Sequence, residues 1–343
     1  MTRPTRLSFF VIPLAAVALS CASGVDAASG VGSTNTEMRQ VATRTDRHLT
    51  VTDDFGRKVT VRFPPRRIVT LAPGPTAMLR AAGAGGQVIA TIEYSGQPAS
   101  ESKLPKIGTA DAIDMERLIA LRPDVVVVWP DGNSPAQIAT LERLGLPVYR
   151  QEALTLDGIG ESLRRLGRLA GTSGVADQEA DALQARLAAL RKKYGNATHP
   201  PSVLLQVWDR PLYTVGGREL LSDVLRVCGA RNVFADLPQR APAIGVEAVI
   251  ARNPDIIIAA APPGSGAAWL AEWKRFPSIR AVRTGRLMSF EDQRLIGLGP
   301  GVIDATAEMC AKIAALSGQP ERQLNGSRPI NGKSSRPRAV TRQ

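Results

Sequence analysis

The chain has 343 residues, length for about two ordinary domains, and carries a formal net charge of +12. Half of that excess sits at the ends, with +1 in residues 1–27 and +5 beyond Ser317. The body has no basic stripe interleaved with aromatics, which argues against a nucleic-acid partner. With only two histidines, His48 and His199, and no CxxC spacing, it offers no protein metal centre.

Residues 1–27 read as a signal peptide: Arg3 and Arg6 precede an apolar stretch from Leu7 to Leu19, followed by small residues up to Val25-Asp26-Ala27. The apolar core of about 13 residues is too short to span a bilayer, which needs roughly 20. Export is therefore expected, in soluble form first. The alternative is a lipid anchor on Cys21, because Ala18-Leu19-Ser20-Cys21 resembles a lipoprotein signal with alanine where leucine is preferred. With Cys21 removed or lipidated, Cys228 and Cys310 remain as an even pair in an oxidising space, which favours a disulfide over two free thiols.

Residues 28–48 are polar and expected to be flexible. A first α/β lobe is expected over 49–157. It opens with a hairpin, Leu49 to Phe63, turning at Asp54-Phe55-Gly56. Arg67–Ala72 reads as a strand, Pro73–Thr76 as a turn, and Thr76 as the N-cap of a helix running through Arg80 to Ala82. Gly83-Ala-Gly-Gly86 closes that helix, so it is a cap cluster and not a phosphate cradle. Val88–Ile92 reads as the next strand, and the alternation continues through Val148. Residues 158–199 are expected to be a helical linker in two parts, Ile159 to Ala170 and, after Gly171-Thr-Ser-Gly174, Val175 to Tyr194. The second part is built of strong helix formers and would run roughly 30 Å. A second lobe, 200–316, repeats the scheme: strand Ser202–Val207, loop Gly216-Gly217, helix Leu220–Val227, late strand Arg286–Phe290 and a last helix from Asp304 to Leu316. Residues 317–343, rich in Ser, Gly, Pro and Arg, read as a disordered basic tail.

One unit is written twice. Met115-Glu-Arg-Leu-Ile-Ala-Leu-Arg-Pro-Asp-Val-Val-Val-Val-Trp129 recurs as Val246-Glu-Ala-Val-Ile-Ala-Arg-Asn-Pro-Asp-Ile-Ile-Ile-Ala-Ala260. Each copy is a short amphipathic helix stopped by Pro-Asp, then an apolar run suited to a strand covered on both faces. Two doubly wound α/β lobes follow, with a cleft between them where a small ligand can bind.

Several dispersed motifs then agree with one family. Asp53-Asp-Phe-Gly-Arg57, Pro65-Arg-Arg-Ile-Val69, Met115 to Pro123, Tyr213-Thr-Val-Gly-Gly217 and Val227-Cys-Gly-Ala-Arg-Asn-Val-Phe234 resemble the iron-chelate and vitamin B12 periplasmic binding proteins, over about residues 49–316. Within that family the likeness is greatest to the cobalamin-binding members, which share cysteines at the places of Cys228 and Cys310. The resemblance implies a class III periplasmic binding protein fold, in which a single long helix joins the lobes. It also implies a periplasmic, monomeric receptor of an ABC importer that docks on a permease dimer through Glu116 and Glu247. From the residues alone, these are equally ordinary helix-start glutamates.

The resemblance makes the transported ligand a corrinoid first and a ferric siderophore or other iron chelate second, with haem less favoured and no resident cofactor. Tyr94, Trp129, Trp208 and Tyr213 fall on segments after strands, where doubly wound lobes present binding loops, and flat rings suit a corrin. Asp209, Arg210, Asp292 and Arg294 are the candidate polar contacts. Two tryptophans that wall the corrin in the relatives are absent; Ala110 and the Ala241-Pro-Ala243 stretch take their places. Arg210 and Arg294 could then hold an anionic siderophore. No G-x-S-x-G elbow, Walker loop or strand-borne GxGxxG occurs, which speaks against an enzyme.

Overall fold

The computed structural model describes residues 47–94, 99–297 and 299–318. The expected signal peptide, Cys21, nearly all of segment 28–48 and the tail beyond Gly318 lie outside the described residues. Strands β1 (His48–Thr52) and β2 (Lys58–Arg62) form the hairpin in antiparallel register. They are followed by β3 (Ile68–Thr70), α1 (Pro73–Ala81), β4 (Val88–Ala90), α2 (Ala99–Ser102), α3 (Met115–Ala120), β5 (Val125–Val128), α4 (Pro135–Arg143) and β6 (Val148–Arg150). Helices α5 (Leu156–Ala170) and α6 (Ser173–Tyr194) come next. The second lobe holds β7 (Ser202–Trp208), β8 (Tyr213–Thr214), α7 (Leu220–Val227), β9 (Arg231–Asn232), α8 (Val246–Arg252) and β10 (Ile256–Ala260). It closes with α9 (Gly266–Trp273), α10 (Arg280–Arg283), β11 (Leu287–Phe290), α11 (Gln293–Ile296) and α12 (Val302–Ser317).

The first sheet is parallel throughout, in the order β4-β3-β5-β6. In the second, β9, β7, β10 and β11 are parallel neighbours in that order, and β8 adds an antiparallel pairing to the end of β7. The two sheets therefore share one strand order, reversing beside the first strand of each lobe, where binding loops diverge. Successive strand residues face opposite layers. Val125 and Val127 enter the core shared with α5 and α6, whereas Val126 and Val128 meet Leu118 of α3 and Ile138 of α4. In the second lobe Leu205 and Ile258 join that same shared core, and Leu204 and Ile257 meet Val249 of α8 and Trp273 of α9.

The repeated unit is realised twice at the level of atoms. Arg122 and Asn253, matching positions of the repeat, both take left-handed backbone, φ 44° and 45°, just past the ends of their helices. Asp124 Oδ2 accepts from the backbone N–H groups of Arg66 and Arg67, just before β3. Asp255 Oδ2 accepts from the N–H and hydroxyl of Ser202, at the start of β7. Each Pro-Asp thus stops a helix and fastens the neighbouring strand.

Three expectations change. Thr76 is not an N-cap: α1 begins at Pro73, because proline is preset for a first turn whose N–H groups have no helical partner. Thr76 lies inside the helix, its hydroxyl on Ala72 O and beside the hydroxyls of Thr70 and Thr91. The helical stretch between the lobes has its two expected parts, but the first, α5, starts earlier, at Leu156, and packs on α1 and β1 of the first lobe. Both helices reach α7, and α6, about 33 Å long at 1.5 Å per residue, also packs on α12. The two helices turn at Gly171, φ 76°, and lie so close that a Cβ on Gly167 would sit 2.3 Å from the Ala176 methyl. Third, Trp208 is the last residue of β7 and Tyr213 the first of β8, not loop residues, because the antiparallel pairing extends the sheet past Val207. Among the described residues no helix is long and apolar enough to cross a membrane.

Candidate functional site

The loops at the carboxyl ends of the two sheets meet around Arg240. This side chain, in the loop before α8, pairs through Nη1 with Glu152 Oε1 at 2.5 Å and with Asp131, and through Nε with Glu219 Oε2 at 2.8 Å. Asp131 and Glu152 follow β5 and β6 of the first lobe; Glu219 precedes α7 of the second. One guanidinium therefore ties the lobes together while leaving two carboxylate charges uncompensated. Burial pushes the Glu219 carboxyl above its usual range despite the arginine beside it. The backbone that carries Arg240 explains the Gly216-Gly217 loop. A Cβ on Gly216 would lie 1.9 Å from Gln239 O, and Gly216 N donates to Arg240 O at 2.8 Å.

Trp129 belongs to the same wall. Its indole N–H donates to Glu152 Oε1 at 3.0 Å. Its ring lies against Gly132, where a Cβ would stand 2.1 Å from the six-membered ring. A small cavity of about 30 Å³ separates Trp129, Glu152 and Pro73–Pro75 of the first lobe from Gly297 of the second.

Tyr94 donates its hydroxyl to Glu101, a buried carboxylate that also faces Arg80 at 3.1 Å. Burial, then Glu101, push the phenol far above its ordinary value. The proton is held where an iron ligand would have to lose it.

The second lobe's contribution is aromatic. Trp208 is 49% exposed and meets Trp269 edge to face, ring centres 6.2 Å apart. Beside this pair opens a cavity of about 240 Å³ lined by Gln206, Asp209, Arg210, Trp269, Trp273 and Phe276. Tyr213 is half-buried on β8, its backbone bridged to Ala243.

The proposed anion-holding arginines are both engaged by carboxylates. Arg210 faces Asp209 at 3.5 Å. Arg294 is held by Asp292 and by Glu308 of α12, so the guanidinium is pushed up and the Asp292 carboxyl down. Asp292 is spent as the N-cap of α11, accepting from Arg294 N. The set Tyr94, Trp129, Trp208, Asp209, Arg210, Tyr213, Asp292 and Arg294 thus divides. Trp129 joins the carboxylate wall, Asp209 and Arg210 line the aromatic cavity, Trp208 stands outside it against Trp269, Tyr213 stays on β8, and Tyr94 and the Asp292–Arg294 pair are tied within their own lobes.

Arg240, Asp131, Glu152, Glu219 and Trp269 stood in no motif. Only the departure at Ala241-Pro-Ala243 marked their neighbourhood. Glu116 and Glu247 are exposed in the first turns of α3 and α8. Cys228 and Cys310 form a disulfide, S–S 2.04 Å, that ties the end of α7 to α12.

Two sheets of one strand order, binding loops at their carboxyl ends and a side chain reaching across between them define a two-lobed solute-binding protein. A periplasmic binding protein family model matches residues 68–293. The vitamin B12-binding protein of Vibrio campbellii is 32% identical over 247 residues, 72% of this chain and 89% of that one. The crystal structure of the periplasmic vitamin B12 binding protein BtuF of Vibrio cholerae superposes with a TM-score of 0.67 at 28% identity, covering 75% of this chain and 99% of that one. An ABC-type Fe3+-hydroxamate transport protein of Saccharomonospora viridis shares the fold at 24% identity, TM-score 0.63, covering 79% and 99%. The chain belongs to the periplasmic binding protein family.

Proposed function

We propose that this protein is an exported, monomeric, non-catalytic receptor that captures a corrinoid, cobalamin first, between its lobes and delivers it to the permease dimer of an ABC importer. The observation that carries the ligand class is the charge around Arg240: three carboxylates against one guanidinium. A surplus of negative charge at low local dielectric disfavours an anionic ligand, and Arg294 is already held by Asp292 and Glu308. An anionic ferric siderophore, or haem with its carboxylates, suits such a cleft poorly; a corrin ring bearing amides suits it better. The protonated Tyr94 further weakens the case for haem. Trp208 and Trp269 supply the flat apolar area, and the vitamin B12-binding relatives point the same way. On this reading Glu116 and Glu247 are the docking charges, and Cys21 is removed with the leader or carries lipid.

The second reading, a ferric siderophore, draws on the small residues Ala110 and Ala241, which leave room for a shape other than a flat macrocycle. Calorimetric titration of the mature protein with cobalamin separates the two. One-to-one binding below a micromolar dissociation constant is expected. No heat and no competition with an indicator corrinoid would sink the corrinoid reading and move the siderophore ahead.

A further inference from the structure

Of the large apolar side chains exposed among the described residues, one pair occupies matching positions in the two lobes. Ile119 on α3 and Ile250 on α8 are 44% and 39% exposed. They hold the same place in the repeated unit, three residues after Glu116 and Glu247. That spacing puts each isoleucine on its glutamate's face of the helix. The packing duty is met by the residue before it: Leu118 and Val249 are fully buried against their sheets. Ala120 and Ala251, which follow, are exposed too. The outward stripe of each copy is therefore a carboxylate beside an apolar knob and a small flat residue. Isoleucine is a poorer helix former than the alanine or glutamate an exposed site ordinarily carries, so neither local structure nor core packing asks for it. The paired left-handed residues Arg122 and Asn253 and the paired Asp124 and Asp255 hold both stripes in the same way against their strands.

We infer that Ile119 and Ile250 are the apolar anchors of the permease-docking surface, each entering a hollow next to the base that meets its glutamate. The inference rests on the docking reading above and names its contact chemistry. Two like patches, one per lobe, fit a partner that offers the same socket twice, which is a dimer of identical subunits. The charge excludes the other occupants. A second copy of this chain would bring glutamate against glutamate, and an anionic membrane surface would repel both patches. A few buried anchors commonly carry most of an interface's binding energy.

The test is binding of the ligand-loaded protein to the source bacterium's cobalamin permease–ATPase complex, reconstituted in nanodiscs. I119S and I250S are each expected to weaken docking about 5-fold, and together about 25-fold, from the apolar area kept in water. The melting temperature and the cobalamin titration should stay as in wild type. The comparison pair is Glu116→Gln with Glu247→Gln. If that pair loses docking while the isoleucine pair docks like wild type, the anchors are wrong and the docking reading stands. If neither pair changes docking, or wild type does not dock, both fall. Unequal effects of I119S and I250S, one near 5-fold and the other none, would overturn the two-socket dimer.

Discussion

Arg240 concentrates the residue-scale physics. Its guanidinium is about a quarter exposed, whereas Glu152 and Glu219 are nearly covered. Removing it would leave two covered carboxylates and Asp131 facing one another. Breaking a buried pair from one side costs about 3–5 kcal/mol, less here because water reaches the arginine. Arg240→Ala should therefore lose about 2 kcal/mol in urea unfolding at neutral pH. The loss should shrink on acidification, because burial raises the Glu219 carboxyl and it takes up a proton early. A penalty independent of pH would mean that the carboxylates are solvated without the arginine. None of this was legible in the sequence. Glu152 lies 88 residues before Arg240 and Glu219 lies 21 before it, and no local pattern couples such positions. Trp208 could be read, since a tryptophan ending an apolar strand run falls where binding loops begin. Trp129 sits in the matching place, yet its indole N–H is tied to Glu152.

At the scale of elements, the repeat was legible because each of its parts is a local signal: an amphipathic turn, a Pro-Asp stop, a Val/Ile run. The α1 start was misread because Pro73 and Pro75 look like a turn until the first helical turn is seen to tolerate them. The copies differ in one informative way. Asparagine is at ease in left-handed backbone and arginine is not, yet Arg122 and Asn253 share the same φ. Arg122→Asn, which copies the second lobe, should gain about 0.5–1 kcal/mol in thermal unfolding. Asn253→Arg should lose at least as much, since Asn253 Oδ1 also accepts from Arg280 N at 2.7 Å. A lower melting temperature for Arg122→Asn would show that arginine is not strained there.

For the whole molecule, one core runs from the first sheet through α5 and α6 to the second sheet, and the disulfide closes a loop of 82 residues within the second lobe. Loop-closure entropy assigns that bridge about 4–5 kcal/mol. Cys228→Ser with Cys310→Ser should lower the unfolding midpoint by a corresponding amount, and a loss under 1 kcal/mol would show that the denatured chain is little constrained by it. The two lobes, the long helix and the cysteine pair all followed from the sequence by itself. Periodicity, helix propensity and repetition act between near neighbours or between copies of one pattern, so they survive without coordinates. Only the tertiary structure decided which arginines are already paired, which carboxylates crowd Arg240, and that Ile119 and Ile250 face water. Charge pairing and burial depend on distance through space, and the fold alone brings residues far apart in the chain within reach of one another.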